Sequence, residues 1–150
     1  MLKVASILPA GSWSSAADHV TLDQDGRHRR RVVLTSDHLK IDALLDEPAA
    51  VQLKHGDGLK LDDGRILEVL AAPEDLLEVT AHGPEHLLQL AWHLGNRHLA
   101  TQIDGDRLLI RYDHVIAHML EHLGALVHRV RERFDPEGGA YGGAHHAHEH

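Results

Sequence analysis

Cysteine is absent from the chain. Disulfides, iron–sulfur clusters, thiolate zinc sites and cysteine nucleophiles are therefore excluded. Aromatic residues are scarce at 3%, so Leu, Val, Ile and Ala must fill any core, and the 43% hydrophobic content permits that. Positive charge is in deficit. A formal net charge of -8 with His neutral argues against broad contact with a phosphate backbone. The basic run RHRRR (27–31) follows Asp23 and Asp25 and has no aromatic residues interleaved for base stacking. It reads as a solvated turn. Long apolar runs are missing: none approaches the roughly 18–20 residues that cross a bilayer. The N-terminal MLKVASILPAGSWSS lacks the longer apolar region and small-residue cleavage site of a signal peptide. A cytoplasmic protein that binds neither nucleic acid nor membrane is expected. There is no G-x-S-x-G and no P-loop, so any nucleotide hydrolysis would belong to a partner.

Histidine is in excess, with 16 among 150 residues. Imidazole suits Ni, Cu, Zn and Fe, and a thiol-free metal carrier would have to use His and carboxylates. The competing explanation is scattered surface His with no role in ligation.

Residues 1–71 read as a small all-β domain. LKVASILP is a candidate first strand. HVTLDQDGRHRRRVVLTS predicts a hairpin turning at Asp25-Gly26, and LKLDDGRILEVLAA predicts another at Asp63-Gly64. Short strands joined by Gly-containing turns suggest a small sandwich or barrel. HLKIDALLDEP fits either a short helix or a strand.

Residues 72–135 change period. LLEVTA is a strand, and Pro84 opens a helix whose apolar stripe is Leu87, Leu88, Leu90, Ala91 and Leu94. Gly95 or Asn96 supplies the left-handed residue that ends it. LATQI and DRLLIRY are the next strands. Asp113 caps a second helix with Val115, Ile116, Met119, Leu120 and Leu123 buried. In LVHRVRERF, Leu126, Val130 and Phe134 share one face while Arg129, Arg131 and Arg133 share the other. The order β-α-β-β-α-β is the ferredoxin-like arrangement, so the fold class is α+β with two domains. Residues 136–150 have no apolar periodicity and are expected to form a mobile His-rich tail; four of the last six residues are His.

Three stretches carry a resemblance: HLGNRHLATQI (93–103), RYDHVIAHMLEHLGA (111–125), and FDPEGGAYGG (134–143) before the His-rich end. With GDGLKLDDGRILEVLAAPEDLL agreeing more loosely, the chain resembles the urease accessory protein E family of nickel chaperones across most of its length. The resemblance implies a β domain, a ferredoxin-like metal-binding domain and a disordered His-rich tail. It further implies a cytoplasmic homodimer that passes Ni2+ towards the urease apoprotein complex, with a GTPase accessory protein as partner. The histidine of the GNRH motif, His98, would be the ligand at the dimer interface. His114, which opens the second helix, would be a peripheral ligand. Where certain members carry another His two positions earlier, this chain has Tyr112, which puts a separate high-capacity surface site there in question.

The metal ligands expected are thus His98, His114 and the tail residues His145, His146, His148 and His150. Ni2+ is the expected cargo, with Zn2+ or Cu2+ able to substitute. A single imidazole cannot hold Ni2+ usefully, but two copies of His98 meeting across a two-fold axis supply two. On spacing alone, a role for His98 as a helix cap is an equal alternative. His118 and His122 continue a stripe from His114 that lies off the apolar stripe, and His93 fits packing inside its helix. His19, His28, His38, His55, His82, His86 and His128 show no ligand pattern in the sequence. His118-Met119-Leu120-Glu121-His122 matches the H-x-x-E-H zinc-protease helix, but little chain follows to build a cleft. Metal delivery, a zinc-dependent hydrolase using this helix, and a general Ni/Cu/Zn buffer are the three functions compatible with the residues.

Overall fold

A computed structural model of the chain describes residues 1–138. They form two compact units, Met1–Ala72 and Pro73–Glu137, and the fold is α+β, with the helices concentrated in the second unit.

The first unit contains β1 (Leu2–Leu8), β2 (Asp18–Leu22), the single helical turn α1 (Gln24–Arg27), β3 (His28–Thr35), β4 (Asp42–Gln52), β5 (Gly58–Leu61) and β6 (Ile66–Ala71). One six-stranded sheet runs in the order β2-β6-β5-β1-β4-β3. Val20 at one edge and Leu34 at the other belong to a single buried cluster with Leu45, Leu59 and Leu67. The sheet therefore curls around its own core. The seam is joined where the N–H of Asp37, just beyond β3, donates to the carbonyl of His19 on β2 at 2.8 Å.

The hairpin at Asp63-Gly64 forms: β5 and β6 pair antiparallel, and Gly64 takes a φ of 91°. The hairpin expected at Asp25-Gly26 does not. β2 and β3 lie at opposite edges of the sheet, and Asp23 instead caps the α1 turn by accepting from the Gly26 N–H at 2.7 Å. Burial explains the difference. Arg27 is fully buried, donating Nε to Leu22 O and Nη1 to Leu53 O, each at 3.3 Å. The turn thus delivers a guanidinium to the carbonyls at two strand ends and sends the next strand to the far edge. The undecided stretch 38–48 becomes a turn followed by β4, whose Ala43 and Leu45 alternate into the core. Pro48 sits where the β3–β4 register shifts, a place in a strand where a missing N–H is tolerated.

The second unit contains β7 (Pro73–Thr80), α2 (Pro84–Asn96), β8 (Gln102–Asp104), β9 (Arg107–Arg111), α3 (His114–His122) and β10 (Leu126–Arg133). Its sheet order is β10-β7-β9-β8 with every pair antiparallel, which is the ferredoxin-like topology. One face carries Leu77, Val79, Leu108 and Ile110 against Leu90 and Leu94 of α2 and Leu120 of α3. The opposite face holds a smaller cluster of Leu76, Leu109 and Phe134, with Val130 against it. Three residues assigned to the apolar stripes lie outside: Leu88 is 72% exposed, Val115 62% and Leu126 58%. Leu88 and Val115 sit at the margins of their helices' buried faces, where helical spacing alone cannot place the boundary, and Leu126 is the first residue of β10.

Candidate metal site

The residues between α2 and β8 begin with an unusual helix end. Arg97 closes α2, the His98 N–H donates to Gly95 O at 3.0 Å, and the Leu99 N–H donates to Leu94 O at 3.2 Å. This double bond pattern is the Schellman motif, whose next residue must be left-handed and is usually glycine. Here it is His98, at φ 59°. The expectation that Gly95 or Asn96 takes this role is corrected, since both remain in the helix. A non-glycine residue in this region costs on the order of 1 kcal/mol or more. His98 lies just past the helix end and is exposed.

His114 stands in the first turn of α3, also exposed. Asp113 caps that turn by accepting from the N–H groups of Val115 at 2.9 Å and Ile116 at 3.1 Å. His98 and His114 are not joined by a hydrogen bond or ring contact. Their neighbours Leu99 and Asp113, with Ala100 and Tyr112, line one cavity of about 160 Å³. Tyr112 is engaged elsewhere: the Arg129 guanidinium stacks 3.8 Å from its ring centroid and is held there by Asp75, bonded at 2.7 and 3.0 Å. That hydrogen bond, reinforced by the nearby positive charge and opposed only by burial, holds the Asp75 carboxyl below its usual range.

The chain beyond β10 turns back towards the same loop. The Asp135 N–H donates to Gln102 Oε1 at 2.9 Å, the Glu137 N–H to Thr101 O at 2.8 Å, and the Ile103 N–H to Glu137 Oε2 at 3.2 Å. The start of the C-terminal segment is thereby pinned three residues along the chain from His98. His145, His146, His148 and His150 lie outside the described residues.

The remaining histidines divide by their partners. His86 has both ring nitrogens occupied: Nδ1 accepts from the His82 N–H at 3.0 Å and Nε2 donates to Leu123 O at 2.8 Å. It braces α2 against the end of α3. His55 Nδ1 accepts from the Ala71 N–H at 3.1 Å. His93 is half-buried beside Trp92, their ring centroids 5.2 Å apart. His118 and His122 are exposed along α3 with Glu121, and among the described residues they are not part of a three-ligand group. The group that does assemble is Asp18, His19 and His38, whose ligand atoms all lie within 4.8 Å of one another. Sequence spacing gave no sign of it, because the curl of the first sheet creates the proximity.

Comparison with known proteins covers both units. A family model described as UreE urease accessory protein, N-terminal domain, matches residues 4–72, and its C-terminal counterpart matches residues 74–150. A urease accessory protein UreE of Beijerinckia indica is 50% identical over 99% of this chain and 87% of its own length. Its namesake in Chelativorans sp. is 50% identical over all of this chain and 94% of its own. A third, from Bradyrhizobium sp. strain ORS 278, is 51% identical over 99% of the chain and 70% of its own.

Proposed function

The chain belongs to the UreE family of urease accessory proteins, and from that premise we propose that it is a non-enzymatic carrier that delivers Ni2+ for assembly of the urease active site. The protein acts as a homodimer in which His98 of each protomer faces its mate across a two-fold axis. An isologous contact places a residue against its own copy, and two imidazoles are the minimum useful anchor for a borderline cation. The tail histidines complete the coordination, and His114 takes a peripheral ion. The urease apoprotein complex receives the metal, with a GTPase accessory protein as the assisting partner. Zn2+ and Cu2+ compete for the same imidazoles.

The observation that carries this proposal is the pairing of a strained, exposed His98 with a C-terminal segment bonded at Thr101 and Ile103. From Glu137 to His145 there are eight residues, and a coil of that length reaches about 16 Å. Tail imidazoles can therefore meet the loop that bears His98 without any rearrangement of the core.

Titration calorimetry with Ni2+ between pH 5 and 8 tests the assignment. Protons compete with metal at each imidazole, so release is expected around the ordinary His pKa of about 6.5 rather than near 4. Two phases are expected. His98→Ala should remove the tighter one, and a chain ending at residue 143 should lose the weaker one while folding normally. A tight phase unchanged in His98→Ala would overturn the assignment of the ligand.

A further inference from the structure

We propose that the first unit holds a second metal site, independent of His98, in which His19, His38 and Asp18 bind a divalent transition ion of the class that prefers imidazole. The site lies on the seam where the curled sheet meets itself. β2 supplies Asp18 and His19, and the turn after β3 supplies His38. One carboxylate and two imidazoles, with a ligand atom from each within 4.8 Å of the others, form a donor set used for zinc and related ions.

Three features set this group apart from histidines that are merely close. First, His19 is oriented. Its Nδ1 lies 2.6 Å from Asp37 Oδ2, and Asp37 is itself anchored by the Thr21 hydroxyl at 2.6 Å. A neutral imidazole donating Nδ1–H to that carboxylate keeps its Nε2 lone pair for a ligand, which is the carboxylate–histidine–metal arrangement. Second, His38 is held by its backbone and not by its ring. Its N–H and that of Leu39 donate to Asp18 Oδ2 at 3.0 and 2.7 Å, while the side chain stands exposed, edge-on to His19 with centroids 5.0 Å apart. Third, the local charge favours a cation. Two carboxylates, Asp18 and Asp37, flank the two rings, and Asp18 is buried.

Metal–nitrogen bonds of about 2.0–2.1 Å place neighbouring ligands in a tetrahedral shell roughly 3.3 Å apart. The ligand atoms, within 4.8 Å of one another, must therefore close by up to about 1.5 Å, a movement that the exposed His38 ring can supply. Asp18 is already claimed by the His19, His38 and Leu39 amides. It gives the ion a single oxygen and its charge, and water takes the fourth position.

The test is an amide NMR titration of the full chain with Zn2+. The expected result is movement of the Thr21, Asp37, His38 and Leu39 resonances, saturating with a single ion per first unit. His38→Gln should weaken that response at least tenfold, while His98→Ala leaves it intact. This keeps failure of the seam site distinct from failure of the dimer-interface assignment. Long-range nitrogen spectra of the unsubstituted protein provide a second readout: Zn2+ should shift His19 Nε2 and leave Nδ1 protonated. Resonances at the seam that stay still at saturating Zn2+, or that move equally in His38→Gln, would overturn the proposal.

Discussion

At the scale of single residues, His98 carries a conflict between stability and chemistry. It fills the left-handed position of a Schellman motif at φ 59°, where glycine is the low-energy residue. His98→Gly should therefore stabilise the metal-free protein by about 0.5–1 kcal/mol and at the same time abolish tight Ni2+ binding. Denaturant unfolding and calorimetry on the same variant check both halves. A glycine variant less stable than the parent would show that the His98 ring contributes a contact that outweighs the strain. The GNRH motif was legible in the sequence. The backbone state of its histidine was not, because helix ends drift by a residue or two until the capping bonds are known.

At the scale of elements, one guanidinium ties together the sheet of the second unit. Arg107 on β9 donates to Asp104 on β8 at 2.6 Å, Glu78 on β7 at 2.9 Å and Glu132 on β10 at 2.8 Å, so all four strands share one network. The hydrogen bond from Arg107 outweighs burial and holds the Glu132 carboxyl below its usual range. A depressed carboxyl favours the folded state above its unfolded pKa of about 4.3, and that contribution fades as pH falls through the lower folded value. Arg107→Met should cost on the order of 1 kcal/mol at neutral pH, allowing for solvent screening. It should also flatten the stability profile below about pH 4.5 and remove part of its salt dependence. Thermal melts at several pH values and salt concentrations would show this. An unchanged acid slope would count against the network. The bond to Asp104 spans only three residues of the β8–β9 turn, but the pairings with Glu78 and Glu132 do not follow from sequence spacing, since β9, β7 and β10 become neighbours only in the sheet order β10-β7-β9-β8.

At the scale of the whole molecule, the core divides cleanly. The cluster around Leu45 and Leu67 lies in the first unit, and the clusters around Leu90 and Phe134 lie in the second. A fragment spanning 73–138 should therefore fold alone with a cooperative melt, and on the proposed function it should dimerise with Ni2+. Sedimentation of the fragment with and without the metal measures this. A fragment that folds but stays monomeric with Ni2+ would place the dimer interface away from His98.

The order of elements in the second unit, the helix start at Pro84 and the cap at Asp113 could all be read from the sequence. It also determined the hairpin at Asp63-Gly64 and, through the GNRH and PEGGAY stretches, the family. These are short-range patterns, in which a residue's neighbours along the chain settle its state. Which strands distant along the chain pair was settled only by tertiary contacts. The tertiary structure sent β2 and β3 to opposite edges despite a good turn dipeptide, because burying Arg27 against two strand-end carbonyls and pairing with β6 and β4 outweigh the preference of two residues. It also decided that Leu88 and Val115 face outward, and that His19 and His38 meet. Residues 19 positions apart come together only because a twisted sheet curls until its first and last edges touch, and nothing local to either histidine encodes that.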